Sequence, residues 1–173
     1  LSKVFVRELI APADAHWILD MKLRKADQME FETVSGRPGN EPVLEAAIQS
    51  AKCMVALCDG RVIAIWGVWD RYPTGVVWAC GTDEAVKHRD ILLTYPKKFF
   101  EDCLKRWPEL ATAMDSRNAL HERWLLRFGF TIFRNALNIN GVPFHLFRRD
   151  NVPPGSHDGR DDGGVSCHHR VSN

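Results

Sequence analysis

The sequence predicts an α/β domain in which helices cover both faces of a mixed, mostly antiparallel sheet. Three observations carry this. Apolar residues recur at helical spacing in 42–51 and 97–107. They change to short runs rich in strand formers at 53–58 and 62–69. Two turn pairs, Asp59-Gly60 and Asn140-Gly141, stand between such runs, and both tolerate the positive φ that tight hairpins need. The predicted order is β-α-α-β-β-β-α-β-α-β-β, which suits neither a doubly wound sheet nor a helix bundle.

The first strand is expected at 4–9. Pro12 opens a helical region running to about Phe31, with Trp17, Ile18 and Met21 on one face. Ser35-Gly36-Arg37-Pro38-Gly39-Asn40 breaks it. In the next helix Val43, Leu44, Ala47, Ile48 and Ala51 form one apolar stripe, and Pro42 sits in the first turn, where its missing N–H costs nothing. The strand at 62–69 is apolar on both faces and is therefore expected to be central. A third consecutive strand follows at 76–80. Phe99, Phe100, Cys103, Leu104 and Trp107 predict a helix over 97–107, which Pro108 ends. A short strand is expected at 111–114. Asn118 is placed to cap a helix over 119–128, and Gly129 to end it in a left-handed conformation. Strands at 131–139 and 142–148 complete the second hairpin. Trp66, Trp78, Trp107 and Trp124 fall on apolar faces, while Trp17 and Trp69 are placed for partial exposure.

Composition excludes several function classes. The chain has 173 residues, 45% hydrophobic and 26% charged, with 23 Lys and Arg against 22 Asp and Glu. A net charge of +1 marks no bulk binding of nucleic acid or membrane. No nucleic-acid partner is expected; Arg123, Arg127, Arg134, Arg148 and Arg149 read by default as scattered surface charges. No apolar run reaches the ~20 residues of a membrane span, and the charged first residues do not read as a secretory signal. Five cysteines, an odd number with no Cys-x-x-Cys pair, argue against a disulfide framework or a zinc ribbon. They read as reduced core thiols in an intracellular, non-secreted protein. The body is expected over 1–150, with a polar tail at 151–173 that has little to bury and is expected to be mobile. Cys167-His168-His169 and His157 in that tail have no spacing that fixes a metal geometry, so no metal site is expected.

The element order, together with Asn118 and with Gly129-Phe130 ending the penultimate helix, resembles the GNAT acetyltransferases across 3–149. That resemblance implies a GNAT-like mixed sheet and an acetyl-CoA site. A narrower resemblance is to the GNAT-like internal virion proteins of short-tailed phages. It rests on Asn118, His121, Arg123, Trp124 and Leu125, on the strand from Trp78 to Thr82-Asp83, and on Gly141, Phe144, Leu146 and Phe147. This narrower resemblance implies a virion or morphogenesis component, located in the virion or the infected host cytoplasm, whose partners are phage virion or assembly proteins.

Two features argue for a degenerate cofactor site. The Gly-rich loop that presents amides to a pyrophosphate is missing, since Gly81 is the only glycine between Cys80 and Lys97. Leu125 stands where the family often has a proton-donating Tyr. Thr94, Lys97 and Lys98, at the expected helix start, retain some capacity for an anion. If acetyl-CoA binds, the resemblance places Cys80, Gly81, Thr82 and Asn118 at the cofactor. His121, which replaces the family's small Ala, and Asp115, after the short strand, are the candidate bases. Their alternative roles are bracing for His121 and turn chemistry for Asp115. The reading from sequence is a virion or morphogenesis protein that works by protein binding, with no cofactor expected. The alternative is an acetyl-CoA-dependent N-acetyltransferase with a variant phosphate loop.

Overall fold

Two hairpins and one parallel contact organise the sheet. In this computed structural model, which describes residues 3–151, Asp59 and Gly60 take φ of 48° and 80°, and Asn140 and Gly141 take 50° and 83°. The expected tail therefore lies outside the described residues. The strands are β1 (Val4–Glu8), β2 (Lys52–Cys58), β3 (Arg61–Arg71), β4 (Thr74–Gly81), β5 (Glu109–Asp115), β6 (Thr131–Ile139) and β7 (Val142–Asp150). They form one sheet in the order β1-β2-β3-β4-β5-β7-β6. Every pairing is antiparallel except β4 with β5. The predicted mixed, mostly antiparallel sheet is present, with helices on both faces.

The central strand is β3, where every residue from Val62 to Val68 is buried. Its alternate residues feed two cores. Trp66 and Val68 face one that holds Phe99, Phe100, Cys103, Leu125 and Phe128, from α4 (Arg89–Leu104) and the end of α5 (Ala119–Arg127). Ile65 faces the other, with Ile18 of α1 (Ala15–Leu19) and Val43, Ala46 and Ala47 of α3 (Glu41–Ile48). No helix among the described residues is long and apolar enough to cross a membrane. Cys53, Cys58, Cys80 and Cys103 are buried free thiols, as their apolar neighbours imply.

Three expectations need correction. The helical region at 12–31 is two helices, α1 and α2 (Lys25–Ser35), because Leu23 leaves the helix to bridge Thr82. The stripe of α3 is rotated: Pro42, Val43, Ala46 and Ala47 are buried and Ile48 is 61% exposed. Periodicity gave a face there, but packing against α1 chose which residues fill it.

The third correction matters more. α4 begins at Arg89, eight residues before the expected start, and Pro96 lies inside it. Thr94, Lys97 and Lys98 are therefore mid-helix and offer no helix-start anion site. A proline in a helix leaves the carbonyl four residues earlier without its N–H partner. That carbonyl is Leu92 O, and the Trp124 indole N–H donates to it at 2.9 Å. One side chain from α5 thus completes the hydrogen bonding of α4 and joins the two helices.

Trp124→Phe keeps a ring against Phe100 and Phe128, with centroids now at 5.8 and 5.0 Å, but removes the indole donor. It should cost about 1–2 kcal/mol for the unpaired carbonyl, and Trp124→Ala about 3 kcal/mol or more. Urea melts of the two variants check both figures.

Candidate functional site

β4 and β5 run parallel but pair only at their first residues, Thr74 with Glu109, Gly75 with Leu110 and Val76 with Ala111. Beyond that point they separate, so the remaining edge of β4 has no strand beside it among the described residues. Gly75 sits at the pairing point because a Cβ there would lie 2.9 Å from a Leu110 methyl and 3.0 Å from the Trp107 ring.

A cavity of about 480 Å³ opens on the α4–α5 side of the separating strands. Its floor is Ala64 to Trp66 of β3 and Ala79 to Gly81 of β4. Arg89, Leu92 and Leu93 of α4 form one wall, and Leu120, Arg123, Trp124 and Arg127 of α5 form another. These sets follow i, i+3, i+4 and i+7 spacing, so each is one helix face. Ala85 and Val86, in a 3-10 turn over Ala85–Lys87, and Arg24 and Asp27 of the α2 region close the rim. Volume and apolar lining are those of a small-ligand site.

The charges are arranged unevenly. Arg24 is held by Asp27 at 2.6 Å. Arg89, Arg123 and Arg127 make no salt bridge among the described residues, and Arg89 is the first residue of α4, where helix amides also favour an anion. Asp90 in the same turn opposes this in part. Two lining residues each carry one fully buried polar atom with no partner among the described residues: Trp66 Nε1 and His121 Nδ1. Burial lowers the His121 pKa from 6.5, leaving its ring neutral at pH 7. A void of about 10 Å³ lies beyond, between Val77, Trp78 and Thr112; its lining shares Ala79, His121 and Trp124 with the main cavity. His121 and Trp124 thus separate the cavity from the slot between the strands.

Of the residues singled out from sequence, His121, Cys80 and Gly81 line the cavity. Thr82 does not; its hydroxyl donates to Ile63 O. Asn118 caps α5 by accepting from His121 N and donates to Asp27 Oδ1 at 2.9 Å, behind the wall. Asp115 is buried away from the cavity, with both oxygens on Arg117 at 2.9 and 2.6 Å, and that guanidinium holds its carboxyl below the usual range. Burial raises the Cys80 thiol well above its ordinary pKa, so it is not poised as a nucleophile. Sequence reading missed Arg24, Asp27, Trp66 and Arg89. The i, i+4 pair Arg123 and Arg127 was legible as a signal, but not distinguishable from surface charge.

No family model matches the sequence, and no curated protein matches it. Solved structures do. The fold is that of the GNAT acetyltransferases. The GNAT-family acetyltransferase of Streptococcus pneumoniae superposes with a TM-score of 0.58 at 14% identity, covering 86% of this chain and 99% of that one. A ribosomal-protein-S5-alanine acetyltransferase from Vibrio fischeri gives 0.54 at 17% identity, over 87% and 97%. RimL, a ribosomal L7/L12 alpha-N-protein acetyltransferase solved with coenzyme A, gives 0.58 at 13% identity, over 85% and 93%. At such identities the likeness extends to the fold.

Behind the cavity Glu30 of α2 accepts from Asp115 N at 3.2 Å and Asn118 Nδ2 at 3.5 Å. Burial, then the neighbouring Asp27 charge, raises its pKa from 4.5 to about 8. The unfolded chain ionises this group near 4.5 while the folded chain keeps it protonated. Its contribution to stability is therefore full below 4.5, falls as pH rises, and levels off above about 8. Glu30→Gln should be more stable than the wild type at pH 9, with the difference shrinking by pH 5. Thermal melts across that range test this.

Proposed function

We propose that the chain is an acetyl-CoA-dependent N-acetyltransferase whose phosphate site is built from arginines in place of a Gly-rich loop. The observation that carries this is the cavity at the parting of β4 and β5, edged by Arg89, Arg123 and Arg127 and lined by Trp66 and His121. The residues fit the cofactor. Arg89, Arg123 and Arg127 would hold its phosphates, and Ala85, Val86, Leu92, Leu93 and Leu120 would cover its apolar arm. When bound, acetyl-CoA supplies the acetyl group as a reactive thioester. The neutral imidazole of His121, whose backbone N–H is fixed by the Asn118 cap, would take the proton of the attacking amine and return it to the thiolate released as the thioester C–S bond breaks. The apolar wall excludes water, which would compete with the amine.

A second reading, a virion or assembly component of a short-tailed phage that acts by protein binding, is favoured by Leu125. That residue is 1% exposed and has no proton to give at the position where the family often has Tyr.

Isothermal titration with acetyl-CoA separates the two. The enzyme reading expects a Kd in the micromolar range, about −8 kcal/mol. Arg89→Ala, Arg123→Ala and Arg127→Ala should each weaken binding about tenfold, as expected for a lost charge-assisted contact, and added salt should weaken it further. Absence of saturable binding overturns this reading in favour of the second.

His121→Ala should lower kcat about 10²–10⁴-fold. The wild-type rate should fall with acid only below pH 6.5, because burial lowers the His121 pKa from that value. A pH–rate profile on a primary amine acceptor checks this, and a fully active His121→Ala removes the base assignment.

A further inference from the structure

Outside the cavity, three chemically distinct side chains converge where no catalytic step needs them. Cys58 ends β2, Glu84 precedes the 3-10 turn over Ala85–Lys87, and His88 follows it. One turn separates Glu84 from His88, so both side chains leave on the same side, toward the β2–β3 hairpin. Cys58 Sγ lies 3.6 Å from His88 Nε2, and Glu84 Oε1 lies 3.5 Å from the same nitrogen. All three donor atoms fall within 4.8 Å of one another.

The shared nitrogen decides between two chemistries. A Cys–His–carboxylate relay needs the thiol on one ring nitrogen and the carboxylate on the other. Here both neighbours face Nε2, so His88 cannot pass a proton between them. Convergence on one point is what ligation requires. For Zn–S near 2.3 Å, Zn–N near 2.05 Å and tetrahedral angles, the S···N edge is about 3.6 Å and the N···O edge about 3.4 Å. The two separations at His88 match those edges; the S···O edge, within 4.8 Å, closes toward about 3.6 Å when Glu84, on an exposed turn, swings onto the ion.

We infer that Cys58, Glu84 and His88 form a binding site for a borderline-soft divalent cation of the zinc type. Thiolate, imidazole and carboxylate together suit Zn²⁺, and the thiolate disfavours Mg²⁺ and Ca²⁺. Lys87 Nζ holds Glu84 Oε2 at 2.7 Å, which orients the carboxylate and leaves Oε1 for the metal. Asp59 Oδ2, 3.9 Å from Cys58 Sγ, is within reach as a fourth oxygen, with water as the alternative. Cys58 is buried, but the Glu84 and His88 side chains are 41% and 19% exposed and give the ion an entry path. On ligation the Cys58 thiol releases its proton to solvent and the S–metal bond forms.

The site has a structural consequence. It ties the β2–β3 hairpin to the turn that carries Ala85 and Val86 of the cavity rim and leads directly into Arg89. The bound ion fixes that rim.

The test is a Zn²⁺ titration of metal-free full-length chain against a chromophoric chelator, with Co²⁺ as spectroscopic probe. One tight equivalent is expected, with sulfur-to-Co²⁺ charge-transfer absorption and a higher melting temperature. Cys58→Ser and His88→Ala should each weaken it at least 100-fold and abolish or shift the Co²⁺ band. A variant with Cys167→Ser, His168→Ala and His169→Ala should keep both. Tight binding and an unchanged band in Cys58→Ser, or their loss only in the tail variant, overturns the inference. So does the absence of tight Zn²⁺ binding in the wild-type chain, which needs no variant to fold.

Discussion

The architecture of the cleft depends on one buried carboxylate. Asp27 is 2% exposed, and a carboxylate so placed is tolerable only when its oxygens are fully engaged. It accepts from Gly81 N and Asn118 Nδ2 at 2.9 Å each, and from Arg24 at 3.1 and 2.6 Å. Those donors belong to the end of β4, the cap of α5 and the entry to α2. Three elements far apart in sequence are therefore held around a single group, and the C-terminal ends of β4 and β5 stay apart with α5 fixed beside them.

The same economy operates on the opposite wall. Pro96 removes one donor from α4, and Trp124 of α5 supplies another to the same carbonyl. The defect in one helix becomes the tie to its neighbour. Because Leu92 and Trp124 both line the cavity, this tie also sets the distance between its walls. Phe100 and Phe128 pack behind them, with ring centroids 5.4 Å apart in the edge-to-face arrangement aromatic pairs prefer.

In the proposed enzyme, the lack of a Gly-rich loop would have a physical reading. Backbone amides in a Gly-rich loop bind phosphate through fixed dipoles. Guanidinium groups on two helix faces bind it through full charge and paired N–H donors. The second solution would need no glycine but would need both helices held in register, as the ties through Asp27 and Trp124 hold them. It also ties affinity to ionic strength more closely than a loop of amides would.

What the sequence determined by itself is local. Asp59-Gly60 and Asn140-Gly141 specify hairpins through φ, Asn118 specifies a helix start, Gly129 its end, and the two-faced apolar run of β3 its central place. Each follows from a residue and its immediate neighbours. Where a local signal was misread, a distant group had the last word: Leu23 leaves the helix for Thr82, α3 turns its stripe toward α1, and Pro96 is accepted because Trp124 is there. His121 could be singled out from the chain alone, but its buried and unpartnered Nδ1 could not. Tertiary structure alone decided that Arg89, from α4, joins Arg123 and Arg127 of α5, and that Cys58 meets Glu84 and His88 across the end of the sheet. No spacing in the chain encodes those meetings, because the distance between two elements is set by everything packed between them.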